Sequence, residues 1–182
     1  MYHLKKDHRA EKSAELLFTG LIGELKNKPL AKITVSDVTR TSTVSRTTFY
    51  RNFDQLIDLL RWKCDLLFQQ VINGYLNENG QNMLNYMFTF WVNNSDLLEI
   101  LIDEKRTDII YDSFMNNSKP ILVQLEKKYS LSDPDYFMAI RVGVLVGIFE
   151  TWIKKGKKET AEQLVTILEK QNKLIEESGI IF

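Results

Sequence analysis

Ser45, Arg46, Thr47, Thr48, Tyr50 and Arg51 crowd hydroxyls and guanidiniums into seven consecutive positions without one acidic side chain. Such a run suits a DNA duplex. Arginine reads guanine edges bidentately, threonine meets a thymine methyl, and tyrosine and serine donate to phosphate. The alternative is a solvated helical corner with no partner. Charge along the chain favours the first reading: residues 1–63 hold twelve Lys and Arg against seven Asp and Glu, a surplus of five. The remainder holds twelve basic and seventeen acidic residues, so a net charge of zero conceals a basic head on an acidic body.

Other chemistry is poorly supplied. His3 and His8 have no cysteine near them, and Cys64 is the sole cysteine, so neither a metal-ligand spacing nor a disulfide framework can be built. Cys64 sits beside Trp62 and Leu66 in an apolar run and reads as a packing residue. No Gly-rich phosphate loop, activated nucleophile or paired catalytic carboxylates stand out. The expectation is a non-enzymatic chain without metal or cofactor. The cluster Lys154-Lys155-Gly156-Lys157-Lys158 reads as a solvated turn at a helix end.

The elements that must hold these residues are helical. The chain has 182 residues, 44% hydrophobic and 26% charged, with 8 Gly and 3 Pro, too few for a turn-rich β domain. No apolar run approaches the roughly 18–20 residues of a membrane span, and the charged start lacks a signal-peptide core. These features lead us to expect a cytoplasmic protein. Periodicity predicts helices over 7–26, 35–41, 46–51 and 55–76, then five longer ones over 80–93, 96–104, 106–129, 134–155 and 158–177. Thr34, Ser45 and Asp54 read as N-caps, and Asp133 caps a helix opened by Pro134. Residues 42–44 form the turn between two short helices, a helix-turn-helix pattern.

The segments Thr34-Val35-Ser36-Asp37-Val38 and Val44-Ser45-Arg46-Thr47-Thr48-Phe49-Tyr50-Arg51-Asn52-Phe53 resemble the DNA-binding domain of TetR-family transcriptional regulators. The likeness covers roughly residues 8–62. It implies an all-α homodimer whose three N-terminal helices bind DNA, with a divergent bundle, about nine helices in all, completing the chain. The implied division is a DNA-binding domain at 1–53 and a regulatory and dimerisation domain at 54–182. By position, the implied DNA-binding residues are Thr34, Thr43, Ser45, Arg46, Thr47, Thr48, Tyr50 and Arg51. Three departures mark this chain. Thr43 stands where the family has glycine, and a β-branched residue resists positive φ, so a reshaped turn is expected. Thr39 and Ser42 replace small alanines. Leu56 replaces a phosphate-binding lysine, for which Lys5, Lys6, Arg9 and Lys28 are candidate substitutes.

Residues 139–156 resemble the eighth helix of a Firmicutes-type TetR subgroup, ending Trp152-Ile153-Lys154-Lys155-Gly156. Apolar residues surround this helix nearly all the way round, as when both a core and a partner cover it. Gly143 and Gly147 lower its profile for close approach. In the family the last two helices pack across a two-fold axis, which implies a dimer interface including Gly143, Gly147, Phe149, Trp152, Leu164 and Leu168. Aromatic and Met residues in the middle helices (Met87, Trp91, Tyr111, Phe114, Met115 and Phe137, with Arg141 as a polar contact) could line an apolar ligand pocket, although such a stripe is more often simply core.

The combined expectation is a sequence-specific regulator, a repressor released by a small apolar or aromatic effector. Its dimer would place two recognition helices in successive major grooves of a palindromic operator, about 34–36 Å apart. The alternative is a regulator or activator of the same fold controlled by a protein partner on the acidic surface around Asp103, Glu104, Asp108 and Asp112.

Overall fold

A computed structural model describes residues 2–5, 7–77, 82–129 and 131–179. Among them are ten α-helices, a 3-10 turn at Leu30–Lys32 and an isolated antiparallel bridge between Tyr2 and Phe53. The first three helices are α1 (His8–Leu25), α2 (Val35–Ser42) and α3 (Arg46–Asn52). Then α4 (Ile57–Asn77) leads into α5 (Met83–Asn93), α6 (Ser95–Asp103) and α7 (Thr107–Asn117). The chain closes with α8 (Lys119–Lys128), α9 (Pro134–Lys154) and α10 (Ala161–Ser178).

Local chemistry sets the short helices of the head. Asp7 caps α1 by accepting the Ala10 amide at 2.8 Å. The stripe Ala14, Leu17 and Leu21 is fully buried, and α2 lies across it. Gly20 lets the two backbones meet: a Cβ there would stand 3.0 Å from both the Ser42 Cβ and the Val38 carbonyl oxygen. Thr34 and Asp37 cap α2 reciprocally, each side chain taking the other's backbone amide. Phe49 and Phe53 are fully buried with ring centroids 5.9 Å apart, and Phe53 meets Trp62 of α4 at 6.2 Å. Burial of each phenylalanine contributes roughly 2 kcal/mol toward fixing α3 on α4.

In the body, α4 packs on α5 and α7, α9 on α6 and α7, and α10 on α5. An aromatic seam holds these helices together. Phe68 of α4 touches Phe114 of α7 at 4.0 Å and Trp91 of α5 at 4.5 Å between centroids. Phe149 of α9 continues it toward Phe88 at 5.4 Å.

The structure corrects several boundaries. The expected helix 106–129 is two, because Pro120 falls in the first turn of α8. Proline has no amide to donate and its ring clashes with the preceding turn. Nine expected helices therefore become ten. The expected cap Asp54 stands three residues before α4, which begins at Ile57; the buried carboxylate of Asp58 accepts the amides of Asp54 at 3.2 Å and Gln55 at 3.1 Å. Asp133 makes no side-chain cap bond to α9. The expected separators at 77–80 and at 130–134 lie partly outside the described residues, as does Lys6. Finally, α9 is long and apolar enough to cross a membrane by length and composition, contrary to the sequence expectation.

Candidate nucleic-acid interface

The turn and α3 present the expected side chains. Ser45 caps α3 by accepting the Thr48 amide at 3.1 Å, and the two hydroxyls lie 2.9 Å apart. Phe49 and Asn52 turn inward, Asn52 donating its amide to the Thr48 carbonyl at 3.0 Å. That leaves Arg46, Thr47, Tyr50 and Arg51 exposed, with Thr48 half-buried. Tyr50 is 56% exposed although its ring stands edge-on to Phe49. The Arg46 guanidinium folds back to donate to the Ser36 hydroxyl, tying α3 to α2.

Thr43 carries the turn without reshaping it. Its backbone is left-handed, φ 58 and ψ 17, the conformation glycine adopts freely and a β-branched residue rarely does. The expected reshaping does not occur. Thr34 is exposed, but its hydroxyl is already engaged with Asp37, donating to the carboxylate at 2.8 Å.

Asp37, the head's acidic hub, is heavily compensated. It accepts Lys28 Nζ at 2.8 Å, the Thr34 amide at 3.0 Å and Arg40 Nη2 at 3.1 Å. The Lys28 bond above all, then those from Thr34, hold its carboxyl well below the usual carboxylate range. The cost falls on Lys28, whose ammonium is committed to this carboxylate. Of the proposed substitutes for a lysine at Leu56, Lys5 and Arg9 are exposed.

Polar contacts that the sequence did not suggest join head and body. Glu104, at the end of α6, accepts the Leu30 amide at 3.1 Å. Arg61 of α4 lies 3.9 Å from Asp58 and 3.7 Å from Asp108, which Arg106 grips with two bonds of 2.8 Å. Asp65 of α4 accepts the Tyr2 hydroxyl at 2.7 Å on one oxygen and the Asn117 amide at 3.2 Å on the other. The pairs other than Arg61–Asp58 and Arg106–Asp108 are 47 to 74 residues apart in sequence, which leaves no local pattern by which they could be found. They also revise the acidic surface. Glu104 and Asp108 serve contacts within the chain, leaving Asp103 and Asp112 as its freely exposed carboxylates.

The residues expected around a ligand divide. Met87, Trp91 and Phe114 are buried in the aromatic seam, while Tyr111, Met115 and Phe137 are half-buried. Arg141 is not inside: it is exposed, its guanidinium stacked 3.7 Å from the Phe137 ring centroid. Cys64 is buried against the Ile109 carbonyl, and burial pushes its thiol up to about 12. Two open clefts lie elsewhere: one of about 690 Å³ between the N-terminal segment, α1 and α4, and a groove of about 420 Å³ between α9 and α10.

The expected dimer residues divide as well. Gly143 and Gly147 face open space, with nothing within 4 Å of an added Cβ. Phe149 and Leu168 point into the chain's own core, and Trp152 and Leu164 form the floor of the α9–α10 groove. They are covered because the inward face of α9 packs on α6 and α7 and that of α10 on α5. The apolar residues left exposed on these helices include Tyr136, Ile140 and Val144 of α9 and Ile167, Leu174 and Ile175 of α10. Among the expected cluster of lysines, Lys154 pairs with Glu150 at 2.5 Å and Lys157 with Glu99 at 2.6 Å.

Comparisons with known proteins agree with this architecture. Residues 78–173 match the family model of a transcriptional regulator C-terminal region of the TetR type. Lin0861 from Listeria innocua is similar in structure, with a TM-score of 0.80 at 20% identity over 95% of this chain and 96% of that one. A TetR transcriptional regulator from Streptococcus agalactiae 2603V gives 0.60 at 20% identity, over 89% and 94% of the two chains. The fatty acid degradation regulator FadR from Bacillus halodurans gives 0.62 at 14% identity, over 91% and 95%. No curated protein matches the chain.

Proposed function

The chain belongs to the TetR family of transcriptional regulators, and from that premise we propose that it is a cytoplasmic homodimeric repressor of palindromic operators. The observation that carries the reading is the face of α3, where Arg46, Thr47, Tyr50 and Arg51 stand exposed with no carboxylate among them. Residues 1–53 form the DNA-binding domain, with Ser45 and Thr48 at the entry of α3 and Thr34 and Thr43 bracketing α2. Residues 54–182 form the regulatory and dimerisation domain. Dimerisation uses the glycine-lowered face of α9 and the exposed apolar residues of α10, with the Trp152 and Leu164 groove between them. An α9 that passes for a membrane span is accounted for by this second covering. Control comes from a small apolar or aromatic effector that loosens the seam of Trp91, Phe114 and their neighbours. A regulator of fatty acid degradation among the similar structures is in keeping with an apolar effector. Displacement then follows a population shift between dimers competent and incompetent for DNA.

Footprinting on the promoter next to the gene tests it. A protected, two-fold symmetric site is expected, with wild-type protection abolished in Arg46→Ala combined with Tyr50→Ala. Arg46→Ala alone should cost about 1–3 kcal/mol and relax base choice at one position. Undiminished affinity in the double variant overturns the assignment.

A further inference from the structure

With only seven residues, α3 is too short to hold its own shape in water. Phe49 and Phe53 anchor its inward side. Its first turn is secured twice more: Ser45 caps it, and the Arg46 guanidinium reaches the Ser36 hydroxyl of α2. The last turn carries Tyr50 and Arg51 and ends in carbonyl groups that find no amide further along the helix. One of these is met from outside. The His3 amide donates to the Asn52 carbonyl at 2.9 Å, and Tyr2 forms its antiparallel bridge with Phe53.

A segment as short as 2–5, paired along one edge, frays unless something ties it down. Here the tie is a single side chain of α4. The Tyr2 hydroxyl donates to Asp65 Oδ2 at 2.7 Å, while Tyr2 and Leu4 lie half-buried against the core. Asp65 is itself held in place. Its Oδ1 accepts Asn117 Nδ2 at 3.2 Å, and the same nitrogen is fixed to α7 by the Ser113 carbonyl at 2.8 Å. Both donors to Asp65 are neutral, so the carboxylate keeps its charge and each bond is charge-assisted. One acidic residue thus joins α4 to the end of α7 and, through Tyr2, to the end of α3.

We propose that Tyr2 and Asp65 are positioning residues for DNA recognition: the segment 2–5 is a strap that fixes the last turn of α3, and Asp65 fixes the strap. The part played in recognition rests on the DNA-binding reading above; the strap itself does not. Releasing the strap frees Tyr50 and Arg51 but leaves Arg46, which is held at the other end of the helix. The release is local, because so small a segment opens without unfolding the core.

The experiment uses the intact protein and Tyr2→Phe, which keeps the ring and removes the hydroxyl. Amide hydrogen exchange without DNA should be at least fivefold faster at His3 and Phe53 in the variant. Exchange at Phe49, whose amide is bonded to the Ser45 carbonyl, and the melting temperature should not change. Asn117→Ala loosens Asp65 from the α7 side and should speed exchange at His3 in the same direction. Unchanged exchange at His3 and Phe53 in Tyr2→Phe, or faster exchange that extends to Phe49, overturns the strap; an unaffected His3 in Asn117→Ala overturns the part given to Asp65.

On the operator, Tyr2→Phe should weaken binding at least fivefold, both alone and in an Arg46→Ala background. In an Arg51→Ala background the further loss should be less than twofold, because the side chain that the strap positions is already gone. A general weakening of the head would lower affinity equally in both backgrounds, and that result overturns the positioning role. A protein with the faster exchange at His3 and Phe53 that binds no operator at all overturns the DNA-binding reading and leaves the strap standing.

Discussion

The Leu30 amide donates to Glu104 Oε1 at 3.1 Å, joining residues 74 positions apart. The bond matters because Leu30 lies in the 3-10 turn between α1 and α2, while Glu104 ends α6 in the body. Glu104→Gln keeps an acceptor oxygen and should be nearly neutral. Glu104→Ala leaves a half-buried amide without its partner, a loss of about 1 kcal/mol. Urea denaturation checks the magnitude, and faster hydrogen exchange at Leu30 in the alanine variant alone checks the location. Equal exchange in all three proteins would show that the contact holds nothing.

Asp37 makes the head's acid tolerance predictable in sign. Its carboxyl is depressed in the folded protein, chiefly by Lys28 and then by Thr34. A depressed acid binds its proton less readily when folded than when unfolded. Its contribution is therefore complete above the ordinary carboxylate value, about 3.9, and is lost as pH falls from there toward the folded value. Asp37→Asn should remove that part of the pH dependence while destabilising the head at neutral pH, where the Thr34 cap and Lys28 lose their anion. Melting curves between pH 2 and 7 decide it: parallel profiles for the two proteins contradict the assignment.

What the sequence made legible was whatever rests on neighbours close along the chain. Thr34 and Ser45 mark the caps of α2 and α3, and of the apolar stripe Ala14, Leu17, Phe18, Leu21, Ile22 and Leu25 on α1, Ala14, Leu17 and Leu21 are buried and the other three half-buried. Pro120 opens α8, but the apolar periodicity on either side of it runs on as if through a single helix. Depth along a helix face was harder to judge. On α9, Phe149 and Ile140 are both apolar, yet one is fully buried and the other 62% exposed. A helix apolar all round gives no pattern from which to choose its inward face. The contacts of Asp65, Glu104 and Asp108 depend on tertiary placement, and no local rule reaches that far.

Thr43 holds a strained backbone in an otherwise well-capped turn. A non-glycine residue in such a region costs on the order of 1–3 kcal/mol. Glycine relieves that strain but adds about 0.4–1 kcal/mol of backbone freedom to the unfolded chain. The strain is the larger quantity, so Thr43→Gly should stabilise the head by roughly 1 kcal/mol, seen as a raised melting temperature. Thr43→Val keeps the branching and loses the hydroxyl, and should show no gain. A glycine variant less stable than the wild type would mean that the threonine side chain makes a compensating contribution.

Gly147 distinguishes packing within one chain from packing between two. Nothing of its own chain lies within 4 Å of an added Cβ, so Gly147→Leu should fold with an unchanged α9 and an undiminished melting temperature when dilute. In a dimer the same leucine must occupy the space needed by the opposing helix. Obligate interfaces commonly bury 2,000 Å² or more, and separating two helices by the depth of a leucine forfeits the close contacts across that area. Sedimentation equilibrium at micromolar concentration should therefore find the wild type dimeric and the variant monomeric. Operator affinity should fall with it, because a single recognition helix retains only half of a two-fold site. Ile140→Lys, on the exposed face of the same helix, should act in the same direction without adding bulk at the glycine. If the wild type sediments as a monomer, or both variants stay dimeric, the apolar face of α9 meets something other than a second copy of this chain.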